Sequence, residues 1–135
     1  GTKRLVIEYK GWKICPMICY DLRFPVFARN DVDYDLLLFV ANWPNTRISA
    51  WDALLKARAI ENQAYVIGLN RVGTDGFNAQ YPGHSQVLDP EGDRISMAPE
   101  YEVGLVEVTL SKNYLTECRK RHPFLSDRDT FKIRD

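Results

Sequence analysis

Cys19 closes an apolar run, residues 12–18, and opens the segment Tyr20-Asp21-Leu22-Arg23-Phe24-Pro25. A strand that stops at a cysteine and turns toward a helix lifts the sulfur to the top of a sheet, as a nucleophile elbow does. A sulfur held there can attack a carbonyl carbon and carry the acyl group as a thioester. The start of the following helix and the guanidinium of Arg23 bring positive potential to it. The backbone N–H of Tyr20 is expected to meet a developing oxyanion. The competing reading is packing, since a cysteine at a strand end often serves as a small buried hydrophobe. Cys15, four residues earlier and on the same face by parity, reads as core, and Cys118 reads as a packing or surface residue. The spacing Cys15-x-x-x-Cys19 matches no standard zinc or redox pattern, so neither a metal site nor a cofactor is expected.

The elements that must position this turn follow from periodicity. Residues 5–9 alternate in character and read as a strand, Lys10-Gly11 as a turn, and residues 12–18 as a second strand. A short helix is expected over residues 25–30. The continuous apolar run at 35–41 suits a strand buried on both faces. Asn42-Trp43-Pro44-Asn45 must be a loop. Ser49 with Asp52 three residues on forms a capping-box pattern, and Trp51, Leu54, Leu55 and Arg58 continue at helical spacing to about Gln63. Strands are expected at 64–70, 84–88, 94–97 and 104–110, with a loop over 73–83 and a helix over 111–121. Pro90 and Gly92 make Asp89-Pro90-Glu91-Gly92 a hairpin turn. The order β-β-α-β-α-β-β-β-β-α defines an α/β domain. Its helices can cover the sheet only thinly, which points to a further portion or a partner chain.

Composition narrows the function classes. The chain has 135 residues, 45% hydrophobic and 12% aromatic, enough for a real core. Eighteen Lys and Arg balance eighteen Asp and Glu, so charge gives no reason to expect nucleic acid or an anionic membrane surface as a partner. No apolar run approaches the ~20 residues that span a bilayer. Three cysteines are too few, and odd in number, for a disulfide framework. A reducing, cytoplasmic compartment fits.

Cys19-Tyr20-Asp21-Leu22-Arg23-Phe24-Pro25 resembles the cysteine signature of the nitrilase (carbon–nitrogen hydrolase) superfamily. Lys56-Ala57-Arg58-Ala59-Ile60-Glu61-Asn62-Gln63 resembles the helix that follows there. Asn70-Arg71-Val72-Gly73, Gly83-His84-Ser85 and Asp89-Pro90-Glu91-Gly92 continue in that family's order. Asn42-Trp43-Pro44 and the tail over 124–131 look most like its ω-amidase branch.

The resemblance implies the C-terminal half of an α-β-β-α sandwich. Residues 1–135 would then be the C-terminal part of a single carbon–nitrogen hydrolase domain. It implies Cys19 as nucleophile, Tyr20 N–H as oxyanion donor, Arg23 as the carboxylate-binding fork, and Asn42 and Trp43 as pocket lining. For Arg23 a structural ion pair with Asp21 stays open, and for Trp43 plain core packing. The family's general-base Glu, oxyanion Lys and supporting Glu belong upstream of the position matched by Gly1, so residues 1–135 alone are expected to be inactive. Glu8, Lys10 and Lys13 match none of these and read as solvated surface. Arg58 and Glu61 read as a structural pair, and His84 as having no chemical role. The implied substrate is a small amide bearing a carboxylate, such as 2-oxoglutaramate, and the implied assembly is a homodimer or higher homo-oligomer. Two alternatives stay open: an N-carbamoyl-amino-acid hydrolase, or a non-catalytic half that only associates with a partner chain.

Overall fold

A computed structural model describes residues 3–132 of the chain. Strands β1 (Ile7–Tyr9) and β2 (Trp12–Ile18) form an antiparallel hairpin. Its turn uses Lys10 at φ 47° and Gly11 at φ 79°. Positive φ at both central residues is what a tight two-residue hairpin turn requires. After β2 comes a 3-10 turn over Cys19–Arg23, then a single helical turn, α1 (Pro25–Ala28). Strand β3 (Leu36–Ala41) lies parallel to β2, with Ile14 opposite Leu36 and Ile18 opposite Val40. Helix α2 (Ile48–Asn62) returns the chain to β4 (Tyr65–Asn70), parallel to β3.

The remaining strands are β5 (Val72–Thr74), β6 (Gln80–Pro82), β7 (Gln86–Leu88) and β8 (Arg94–Met97). β7 and β8 extend the main sheet antiparallel, in the order β1-β2-β3-β4-β7-β8. β5 and β6 form a separate small hairpin. Helix α3 (Lys112–Arg121) closes the regular structure, capped by the Ser111 side chain accepting from Tyr114 N–H.

One sheet face carries Cys15, Met17, Leu37, Phe39 and Val66, and packs on Trp51, Leu55 and Ala59 of α2. Gly68 permits that approach. A Cβ there would sit 2.5 Å from Leu55 Cδ1 and 2.7 Å from Trp51 Cζ2. On the opposite face Leu36 and Tyr65 pack on Leu115 of α3. Asp35, buried at the start of β3, anchors α3 through Lys112 and Arg119. α3 covers only one end of this face. At the other end Ile18, Val40 and Leu69 form an exposed apolar row, 72%, 54% and 47% accessible.

The structure corrects four sequence expectations. Residues 104–110 form no strand, because no strand among the described residues lies alongside to pair with them, and Leu105 is exposed. The 73–83 loop contains the β5–β6 hairpin. The helix after the Cys19–Arg23 turn ends at Ala28 rather than Asn30, because Asn30 instead bonds Tyr34 and Asn62. Ser49 does not cap α2, which starts one residue earlier with no side-chain cap. Asp52 instead accepts hydrogen bonds from His84 Nδ1 (2.9 Å) and Gln86 Nε2 (2.6 Å).

Candidate active site

Cys19 leaves β2 with φ 41°, a left-handed conformation that non-glycine residues rarely adopt. Such a conformation costs on the order of 1–3 kcal/mol and persists only where the surroundings enforce it. Two tethers do so here. The Asp21 carboxylate accepts the Ile18 N–H at 2.9 Å. The carbonyl of fully buried Leu22 accepts Arg58 Nη2 at 2.6 Å. Arg58 itself is buried and paired with Glu61 at 2.9 Å. The turn is therefore bolted to α2 from below. Cys19 is half-buried and packs against the α2-side core cluster. Cys15 is fully buried, and its desolvation pushes the thiol up from its ordinary value, with Arg4 opposing. Burial raises Cys118 in the same direction.

Tyr20 points outward, 67% exposed, with its ring edge-on to Phe24 at 5.0 Å. Arg23 makes no ion pair with Asp21, whose carboxylate serves the Ile18 N–H. Its guanidinium lies instead over the Trp43 ring, 4.8 Å from the centroid. Trp43 is 4% exposed and tilts against Trp51 at 5.6 Å, while its Nε1 donates to the Arg47 carbonyl. Trp43 is thus a core residue whose ring lies beneath the Arg23 cation. Asn42, next to it, is exposed.

Asn70, at the end of β4, holds the Trp43 loop. Its Oδ1 accepts Trp43 N–H at 2.6 Å, and its Nδ2 donates to Trp43 O at 2.9 Å and to Gly83 O at 2.7 Å. Cys19, Asn42 and Asn70 thus gather at the C-terminal ends of three adjacent parallel strands. Open α/β sheets bind ligands at this edge. A cleft of about 1030 Å³ is lined by Asn42, Leu69, Arg71 and residues 102–109, but not by Cys19, Arg23 or Trp43. It runs along the uncovered sheet face rather than across the strand ends.

Residues 1–120 match the carbon-nitrogen hydrolase family. The chain belongs to that family. It is 50% identical over 133 residues to the ω-amidase YafV of Escherichia coli K12, covering 98% of this chain and 52% of the relative. It is 42% identical over 112 residues to the 2-oxoglutaramate amidase of Paenarthrobacter nicotinovorans, covering 82% and 37%. Among solved structures it resembles XC1258 of Xanthomonas campestris, a CN-hydrolase superfamily protein with an arsenic adduct in its active site. That likeness has a TM-score of 0.95 and 48% identity, over 98% of this chain and 53% of the other. The chain spans about half the length of the curated relatives it matches.

In this carbon-nitrogen hydrolase chain, the spacing of residues points to Cys19, Tyr20, Arg23, Asn42 and Trp43 but not to two residues that support their segments. Arg58, a structural residue by its helical spacing, pairs with Glu61 and also reaches across 36 positions to Leu22. Asn70 enters the sequence reading only within the Asn70-Arg71-Val72-Gly73 motif. A buried asparagine ending an apolar strand was the available signal, because such a side chain must find partners. His84 bridges Asp52 and Glu100, at 2.9 and 3.0 Å.

Proposed function

We propose that the full-length protein hydrolyses the terminal amide of a short dicarboxylic acid monoamide, such as 2-oxoglutaramate, through a thioester on Cys19. One observation carries the reading. The turn that holds a strained, half-buried cysteine also presents, four residues on, a guanidinium with no carboxylate partner among the described residues. Such a fork suits a substrate carboxylate. The printed activities of the ω-amidase and 2-oxoglutaramate amidase relatives support it.

In this reading the Cys19 thiol gives its proton to a general base, and the sulfur attacks the amide carbon. Tyr20 N–H helps hold the oxyanion. The C–N bond breaks, and ammonia departs with the transferred proton. Water then attacks the thioester carbon, releasing the dicarboxylate and restoring the thiol. The base and the cationic oxyanion partner are the family's Glu and Lys, which we assign to the other half of a longer chain. The uncovered row Ile18, Val40 and Leu69 supports a second layer on that face. A homo-oligomer in a reducing, cytoplasmic setting completes the proposal, consistent with three unpaired cysteines. Among the described residues, no helix is long and apolar enough to cross a membrane.

The test is ammonia release by full-length wild type and Cys19→Ala. The variant is expected to lose turnover while keeping its circular dichroism spectrum. Iodoacetamide is expected to label Cys19 ahead of buried Cys15 and Cys118. Wild-type turnover by the variant would overturn the assignment. Carbon dioxide released together with ammonia from a carbamoyl amino acid would move the activity to that class.

A further inference from the structure

Arg71 repeats the construction seen at Arg23. Its guanidinium lies over an aromatic ring, 4.5 Å from the Tyr81 centroid. The platform is rigid: Tyr81 is 9% exposed and its hydroxyl donates to Asp75 Oδ2 at 2.9 Å. Asp75 Oδ1 in turn accepts the Phe77 and Ala79 N–H groups, at 2.9 and 3.0 Å. These three donors hold the Asp75 carboxyl below its ordinary range and occupy both its oxygens. Asp75 is therefore spent on the β5–β6 hairpin, and no carboxylate among the described residues forms an ion pair with Arg71. Stacking uses the face of a guanidinium and leaves its in-plane N–H groups for a ligand.

The backbone fixes where this fork stands. Arg71 N–H donates to Ala41 O at 3.1 Å, at the edge where β2, β3 and β4 end. Ile18 pairs with Val40, and Val40 with Leu69, so Cys19 and Arg71 flank the Asn42–Trp43 loop from its two sides. Two strand spacings separate their backbones, roughly 10 Å. The Arg71 guanidinium sits over Tyr81 in the cleft that Asn42 also lines, so a five-carbon substrate on Cys19 has to extend past the Asn42–Trp43 loop to meet it. Asn70, adjacent to Arg71, locks the backbone of Trp43, on which Arg23 lies. The two aromatic-backed forks are thus parts of one hydrogen-bonded frame.

We infer that Arg71 is a second recognition residue, which with Arg23 takes the acidic end of the substrate, a 2-oxo acid head whose carboxylate and neighbouring ketone oxygen offer acceptors to two forks. This rests on the amidase reading above and narrows its substrate class.

The experiment uses the full-length protein with Arg71→Gln and Arg71→Lys. Turnover is measured on 2-oxoglutaramate and on an uncharged amide of the same length. Protection of Cys19 from iodoacetamide by 2-oxoglutarate is measured alongside. Arg71→Gln is expected to lower kcat/KM for 2-oxoglutaramate about 30-fold, mainly through KM, with a loss at least tenfold smaller for the uncharged amide. Arg71→Lys restores the charge without the fork and is expected to recover only part. Protection by 2-oxoglutarate should weaken in parallel with the rise in KM. Equal losses on both amides, or none, would overturn the inference while leaving the amidase reading standing. If wild type hydrolyses neither amide yet 2-oxoglutarate protects Cys19 in wild type and not in Arg71→Gln, the recognition role stands and the reaction falls. If wild type shows neither turnover nor protection, both fall.

Discussion

Two cysteines four positions apart show what one residue's surroundings decide. Cys15 lies within β2, fully buried, with a thiol raised by desolvation. Cys19 is the first residue beyond that strand, in a left-handed turn, and half-buried. Of the two, Cys19 has the access and the fixed backbone that the proposed nucleophile role needs. Arg23 belongs to the same scale. Its guanidinium is stacked on Trp43 and not on Asp21, so its N–H edge remains for a ligand. Arg23→Ala in the full-length protein is expected to reduce kcat/KM for 2-oxoglutaramate by roughly 30-fold or more, as removing one partner of a charge-assisted bidentate pair to a bound carboxylate does. The check is the same assay on an uncharged amide. A loss of equal size there would make Arg23 a structural residue.

At the scale of elements, α2 supports the site from beneath. It supplies Arg58 to the Cys19–Arg23 turn and Trp51 to the Trp43 ring. The helix sits close enough to do both because β4 carries glycine at position 68. Adding one methyl there would drive into Leu55 and Trp51, at 2.5 and 2.7 Å. Leu55 can rotate, but Trp51 is fully buried and its Nε1 is committed to the His84 carbonyl at 2.9 Å. Gly68→Ala is therefore expected to destabilise the fold by about 1–3 kcal/mol, the usual cost of overpacking a core. Thermal unfolding followed by tryptophan fluorescence measures this directly. An unchanged midpoint would mean that α2 moves away without loss, and that the close approach is not needed.

At the scale of the whole molecule, apolar surface outlines where other layers belong. One patch is the sheet row Ile18, Val40 and Leu69; another is Tyr20, Phe24 and Val26 around the Cys19–Arg23 turn and α1. Exposed apolar residues gathered in a patch mark an interaction surface more often than scattered ones do. The proposed homo-oligomer would bury the second patch, next to the Cys19–Arg23 turn. Sedimentation velocity of the full-length protein at micromolar concentration is expected to give a dimer or larger species, and Val26→Asp to shift it toward monomer. A wild-type monomer would contradict the assembly.

Much of this was legible in order and spacing. The β2–Cys19 elbow, the α2 periodicity, the Asp89-Pro90-Glu91-Gly92 turn and β8 follow from local rules, because short-range sterics and amphipathic patterning act within a few residues. The turn is seen in Gly92 at φ 88°, with its N–H bonded to Asp89 O at 3.0 Å. Family membership was legible for the same reason, as ordered motifs along one chain. Partner choice was not. Asp52 abandons a cap for His84 and Gln86, residues 104–110 remain unpaired despite strand-like alternation, and Arg23 settles on Trp43 rather than Asp21. Each outcome depends on which groups from distant segments arrive within a few ångströms. Hydrogen bonds and strand pairing are decided by that proximity, so only the tertiary structure could supply Asn70 as the clamp on Trp43 and Arg58 as the bolt on the Cys19–Arg23 turn.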